Sequence, residues 1–287
     1  MITSRLLGGL FAILVTPALH AAFVSESDLE IPVSGPQGEH LSMNGRLCRL
    51  LGPPQPLVII NHGSPPEAKK RIEMKLASCN SEAVQWFLRH RFAVLLPLRL
   101  GYGSTHGPWT EGGEHCNGSD YVRQGLETAR QIDAARAYAA TLSGVDASRT
   151  VVVGQSAGGW GTLAYDSMPH QNVVGFINMA GGRGGHYRDE DNNNCHPERL
   201  VSAAGTFGKT AATPMLWIYA QNDSFFGPPL ARQLVEAFTN AGGKAWFEKP
   251  AAFGRDGHQL FFGNGGSRTW GPLVEKYLRE IADFPGP

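Results

Sequence analysis

Ser156 lies in the run Gly154-Gln155-Ser156-Ala157-Gly158. A serine hydroxyl is a weak nucleophile until a base takes its proton and a third group orients that base. Thr150-Val151-Val152-Val153, just before it, is a short apolar run that reads as a buried strand, and Ala157 to Ala164 read as a helix. A sharp strand-to-helix turn at G-x-S-x-G lifts the serine oxygen clear of a sheet and holds it in a strained backbone conformation. Gly154 and Gly158 leave room where a side chain would collide with neighbouring backbone. The helix start also leaves N–H groups free beside an attacked carbonyl, so the Ala157 N–H is the first candidate oxyanion donor.

The base and acid are sought downstream. Met215-Leu216-Trp217-Ile218-Tyr219 reads as a strand and runs through Ala220-Gln221-Asn222 into Asp223. Ala245-Trp246-Phe247 reads as a weaker strand, followed by the loop Phe253-Gly254-Arg255-Asp256-Gly257-His258. His258 is the last histidine of the chain, so Ser156, Asp223 and His258 fall in the order nucleophile, acid, base. Asp223 alternatively serves only as a turn residue or helix cap, with Asp256 as the acid. An acid two residues from His258 on one loop is poorly placed to face its ring, which favours Asp223. Asn61-His62-Gly63-Ser64 follows the strand Leu57–Ile60 directly, and the Gly63 or Ser64 N–H is the candidate second oxyanion donor. His62 reads as a brace for this turn in preference to a catalytic group.

The elements that must position these residues follow from periodicity. Leu57–Ile60, Phe92–Leu96, Thr150–Val153, Val173–Ile177 and Met215–Tyr219 are short apolar runs suited to strands buried on both faces. Helical spacing fills residues 122–142, with Asp120 as a cap, and recurs between Pro229 and Gly242 and from Trp270 to Ile281. The fold class expected is therefore α/β, a mostly parallel, doubly wound sheet. Two antiparallel strands around Phe23–Val33 and His40–Leu51 precede it, and a short loop cap covers it. Ligands in such sheets bind beyond the carboxyl ends of the strands. Two long loops, Leu98–Gly118 (with Glu111, Glu114 and His115) and Ala180–Pro197 (with Arg183, His186 and Asp191), are expected to shape the pocket. His62, Tyr102, Trp109, Trp160 and Phe225 are its candidate lining residues, with core packing an equal explanation for Trp160.

Composition narrows the class. The 287 residues carry 25 basic and 25 acidic side chains, with no basic face or charge run that would mark a nucleic-acid partner. Arg5, the apolar run Leu6–Val15 and the small residues Ala18, Ala21 and Ala22 follow the order of a secretory signal peptide, so residues 1–21 are expected to be cleaved. The remaining residues, 22–287, are expected to form one catalytic domain, periplasmic or secreted, with no membrane attachment after cleavage. Cys48, Cys79, Cys116 and Cys195 allow three disulfide connectivities in an oxidising compartment. The preferred pairing is Cys48–Cys79 and Cys116–Cys195, the second joining the two long loops; buried thiols are the alternative. No pair has metal-ligand spacing, and the polar second loop reads as solvated, so no metal is expected.

With these stretches in place, the chain resembles the α/β-hydrolase superfamily, and within it the dienelactone-hydrolase-like serine hydrolases of bacterial secreted proteins. The resemblance rests on His62-Gly63-Ser64, Arg99-Leu100-Gly101-Tyr102-Gly103-Ser104, Gly154-Gln155-Ser156-Ala157-Gly158-Gly159, Asn222-Asp223-Ser224 and Asp256-Gly257-His258. It implies a Ser–Asp–His triad that hydrolyses small or polymer-attached carboxylic esters without metal or organic cofactor. The enzyme that names the group uses a cysteine nucleophile, and Ser156 departs from it. A serine exopeptidase or amidase related to the prolyl-oligopeptidase-like enzymes, and a non-catalytic binding protein on this fold, are the competing readings. Oligomeric state is left open.

Overall fold

The computed structural model describes residues 23–112, 116–282 and 284. The candidate leader, and Glu114 and His115 of the first long loop, lie outside the described residues. Eight strands form one sheet: β1 (Val24–Ser34), β2 (His40–Leu50), β3 (Gln55–Asn61), β4 (Ala93–Leu98), β5 (Val145–Gln155), β6 (Val173–Met179), β7 (Met215–Ile218) and β8 (Ala245–Glu248). Their order across the sheet is β1-β2-β4-β3-β5-β6-β7-β8. β1 pairs antiparallel with β2 and β2 with β4, whereas every later pair is parallel. The expected α/β class and its antiparallel start are thus observed.

Seven α-helices flank the strands among the described residues: α1 (Ala68–Ile72), α2 (Glu82–Arg89), α3 (Tyr121–Ala139), α4 (Ala157–Asp166), α5 (Pro197–Gly208), α6 (Pro228–Asn240) and α7 (Ser267–Ala282). Successive strand residues point to opposite faces, so each apolar run feeds two cores. Val151 and Val153 pack with α2 and α7 around Phe87, Trp270 and Tyr277. Val152 packs on the other side with α3 to α6, among Trp160, Leu163, Phe207 and Trp217. The Asp120 side chain accepts from the Arg123 N–H and caps α3, as its position before the apolar pattern requires. No helix among the described residues is long and apolar enough to cross a membrane.

One feature of this topology fixes where a ligand can sit. After β3 the chain moves outward to β4, then returns past β3 to lay down β5 on its other side. The loops leaving β3 and β5 therefore diverge and open a crevice at the carboxyl end of the sheet. Asn61 and Gly154 are register partners there, which brings His62-Gly63-Ser64 beside Ser156.

The cysteines pair as Cys48–Cys79 and Cys116–Cys195. The first bond ties β2 to the segment before α2, 31 residues on. Loop-closure entropy for a loop of that size is about 3–4 kcal/mol. Replacing Cys48 and Cys79 together by alanine is expected to lower unfolding stability by about 3 kcal/mol, measured by urea denaturation against the oxidised parent.

Candidate active site

Ser156 sits between the last residue of β5 and the first of α4, with φ 55° and ψ −120°. A non-glycine residue held there stores about 1–3 kcal/mol and persists only if its surroundings enforce it. They do so at close quarters. The Ser156 N–H donates to Met179 O at 3.0 Å, and Ser156 O accepts from Gly182 N at 3.1 Å and Trp160 N at 2.9 Å. A Cβ on Gly154 would lie 2.1 Å from Gly158 O, and one on Gly158 would lie 2.3 Å from Asn61 O. Both glycines are therefore required by backbone contact. Ala157 is the first residue of α4, so its N–H has no acceptor within the helix. Gly63 faces the turn from β3, where an added Cβ would stand 3.1 Å from Ser156 Cβ and 2.5 Å from Gln155 Oε1.

His258 and Asp223 meet although 35 residues separate them. His258 Nδ1 lies 3.2 Å from Asp223 Oδ1 and 3.1 Å from Oδ2, with both groups buried. A carboxylate oxygen only accepts, so Nδ1 carries the hydrogen of this bond. Asp223 Oδ1 also accepts from the Phe225 and Phe226 N–H groups, each at 2.8 Å, which fixes the carboxylate. Asp256 occupies a different position. Its Oδ1 accepts from His258 N at 2.9 Å and Ser224 N at 3.0 Å, stitching the two loops together through backbone. Gln155 Nε2 donates to His258 O at 3.1 Å, so the residue before Ser156 holds the histidine loop directly. The His258 ring stacks on Phe225 with centroids 4.2 Å apart, and His186 stacks on the same phenyl ring at 3.7 Å.

A cleft of about 320 Å³ opens over Ser156. Ser64, Trp109, Ala157 and Phe225 line it, as do Cys116 and Cys195 of the inter-loop disulfide. Three expected pocket residues lie elsewhere. Trp160 is fully buried, its indole donating to Tyr121 O at 2.8 Å and packing on Phe207, so it belongs to the core. Tyr102 is fully buried and its hydroxyl accepts from Trp109 Nε1 at 3.1 Å. His62 braces the turn: its Nε2 accepts from Arg99 N at 3.1 Å, so Nδ1 bears the hydrogen given to Gly63 O at 2.7 Å. His258 also stays out of the main cleft, against a smaller void with Gln155, Leu260 and Phe261. Among the described residues, no group of three or more His, Cys, Asp or Glu is arranged to hold a metal.

Sequence reading missed a buried ionic network behind the cleft. Glu111 Oε1 accepts from Arg99 Nε at 2.8 Å, and its Oε2 accepts from Arg183 and from Thr128 Oγ1. Burial pushes the Glu111 carboxyl up, but the two guanidinium charges outweigh it and hold the group ionised, below the usual carboxylate range. Glu111 and Arg183 come from the two long loops joined by Cys116–Cys195. Their opposite charges on bridged loops were the only available signal.

Comparison with known proteins places the chain by fold and family. The profile of the "Alpha/beta hydrolase family" matches residues 57–286, and the chain belongs to that family. Solved structures with the same fold include a chain from Klebsiella pneumoniae assigned as a dienelactone hydrolase, at 16% identity and TM-score 0.59, covering 91% of this chain and 100% of that one. An esterase from Pyrococcus furiosus is similar at 14% identity and TM-score 0.58, covering 97% and 96%. An acylaminoacyl peptidase from Pyrococcus horikoshii matches at 12% identity and TM-score 0.61, covering 91% of this chain but 42% of its own. No curated protein matches in sequence.

His62 makes the site acid-sensitive. Burial, reinforced by the Arg99 charge, pushes its protonation down to about 3 from an ordinary 6.5. Between those values the unfolded chain binds the proton and the folded chain does not, so stability falls as pH drops through this window. The slope is at most about 1.4 kcal/mol per pH unit. His62→Gln is expected to be less stable at pH 7 and to lose part of this slope, measured by chemical denaturation at pH 7 and pH 5.

Proposed function

We propose that the protein is an exported serine hydrolase that cleaves carboxylic esters through an acyl-Ser156 intermediate. The observation that carries this reading is the strained Ser156 turn, joined through the Gln155 side chain to the loop of His258, whose ring is held through Nδ1 by Asp223. Ser156 Oγ attacks the ester carbonyl while His258 Nε2 takes its proton. The negative charge that develops on the carbonyl oxygen is met by the N–H groups of Ala157 and of Gly63 or Ser64. His258 then returns the proton to the alcohol oxygen as the carbon–oxygen bond breaks. Water, deprotonated by the same imidazole, attacks the acyl-enzyme and regenerates the Ser156 hydroxyl. Asp223 holds the tautomer and balances the imidazolium that forms transiently, and Asp256 shapes the loop without joining the chemistry.

Export is supported by the leader-like first 21 residues and by the two disulfides, which suit an oxidising compartment. Residues 22–287 are then the catalytic domain. An amidase or peptidase is the second reading, because the acylaminoacyl peptidase shares this fold. Ester turnover exceeding turnover of the matched aminoacyl amide favours the first, and the reverse order favours the second.

A fluorophosphonate probe is expected to label Ser156, and Ser156→Ala to abolish labelling and lower kcat by about 10⁵-fold or more. Asp223→Asn is expected to lower kcat by about 10⁴-fold. Asp256→Asn is expected to act mainly on loop stability and to retain far more activity. Labelling that survives Ser156→Ala, or equal losses in the two aspartate variants, counts against these roles.

A further inference from the structure

Asp223 holds the His258 ring at its Nδ1 edge, and Phe225 covers one face, with centroids 4.2 Å apart and planes 23° apart. Phe226 meets the same ring in a T-shaped contact at 5.6 Å. Phe225 is only half-buried and lines the cleft, so its own position must be fixed by a neighbour. That neighbour is His186, which stacks on it at 3.7 Å and 9°. Two rings this close to one phenyl would collide on the same face, so the two imidazoles sandwich Phe225. His186 reaches this place on left-handed backbone, φ 55° and ψ 39°, which a non-glycine residue adopts only where its surroundings enforce it. Its Nε2 shares a hydrogen bond with Ser224 Oγ at 2.9 Å and lies 3.4 Å from the exposed Asp191 carboxylate. Gly185 lets the loop approach, since a Cβ there would stand 2.9 Å from Phe225 Cδ1. Three further bonds tie this loop to the one that carries Asp223. Asn192 N donates to Ser224 O at 2.7 Å, Asn192 Oδ1 accepts from Gly227 N at 2.8 Å, and Asn194 Nδ2 donates to Phe225 O at 2.7 Å. Cys195 comes next and is anchored to Cys116.

An imidazole bonded through Nδ1 alone can still swing about that bond, and a general base must meet its proton within hydrogen-bond reach and in line. A ring packed against its face removes the swing, provided that ring is itself held. We propose that His186 is a positioning residue that presses Phe225 against His258 and so fixes the angle at which Nε2 meets the Ser156 hydroxyl; this rests on the reading of Ser156, Asp223 and His258 as a catalytic triad. The flat ring of His186 carries the role, and no proton passes through it. Its bond to Ser224 and the bonds made by Asn192 and Asn194 set where that ring stands. His186 also lines the cleft, so contact with substrate is the rival role, and the two separate in KM.

Turnover of 4-nitrophenyl acetate by the intact protein tests this, with kcat counted per fluorophosphonate-reactive site so that misfolded chains do not enter. His186→Ala is expected to lower kcat roughly 10-fold, the effect of losing one aromatic stack, with KM nearly unchanged. The rate at which the fluorophosphonate labels Ser156 is expected to fall in proportion, a readout that needs no ester. His186→Phe keeps a flat ring without the imidazole nitrogens and is expected to recover most of the lost kcat. His186→Gln keeps a polar group without the ring and is expected to stay low; these two variants are compared directly if His186→Ala does not fold. Phe225→Leu is expected to lower kcat at least as much as His186→Gln, and the double variant no further, because one side chain acts through the other. A loss confined to KM, a loss that His186→Phe does not recover, or losses that multiply in the double variant would overturn this proposal, while labelling of Ser156 leaves the serine reading standing. Absence of both labelling and turnover in the parent protein would overturn the two together.

Discussion

The backbone conformation of Ser156 is the constraint on which the rest of the site depends. A left-handed φ of 55° is unfavourable for serine. It is held by three backbone hydrogen bonds, to Met179 at the end of β6, Gly182 beyond it and Trp160 in α4. It also needs β3 to come close, because Gly158 packs against Asn61 O and His62 O with no space for a Cβ. The two glycines of the motif thus record a contact between strands, and the energy stored at Ser156 is supplied by the whole central sheet.

The same crossing that creates this contact also assembles the cleft. Because β4 lies outside β3, the loop after β4 returns over the crevice, and Glu111 on it meets Arg183 from the loop after β6. Cys116–Cys195 then closes the two loops covalently near that ion pair. A buried carboxylate between two guanidiniums is costly to assemble and costly to break. Together with the disulfide it gives the cleft wall a defined position, with Arg183 lining the same half-open space as Ser156.

The histidine loop shows how two aspartates of similar sequence setting divide the work. Asp223 faces the ring of His258 and is itself pinned by two backbone N–H groups. Asp256, two residues before His258, reaches only backbone. The short tether decides this: a side chain two residues away in a tight turn bonds the turn's own N–H more easily than it reaches the far ring nitrogen. His62 is likewise occupied, both nitrogens serving backbone groups of the β3 and β4 loops.

The chain alone determined the alternation of buried strands and amphipathic helices, because apolar periodicity is local and the sheet must bury both faces. It also singled out Ser156, since a glycine-flanked serine between an apolar run and a helix has a local steric meaning. The placing of Asp223 and His258 at strand ends was legible for the same reason. Side-chain orientation was not. Trp160 and Tyr102 are aromatic residues near the motif and the long loops, yet both turn into packed interior, a choice made by neighbours distant in sequence. The Arg99–Glu111–Arg183 network and the bridge from Gln155 to the His258 carbonyl join residues up to 103 positions apart. Such pairings leave no periodic trace, and only the packed sheet with its bridged loops brings them within hydrogen-bonding distance.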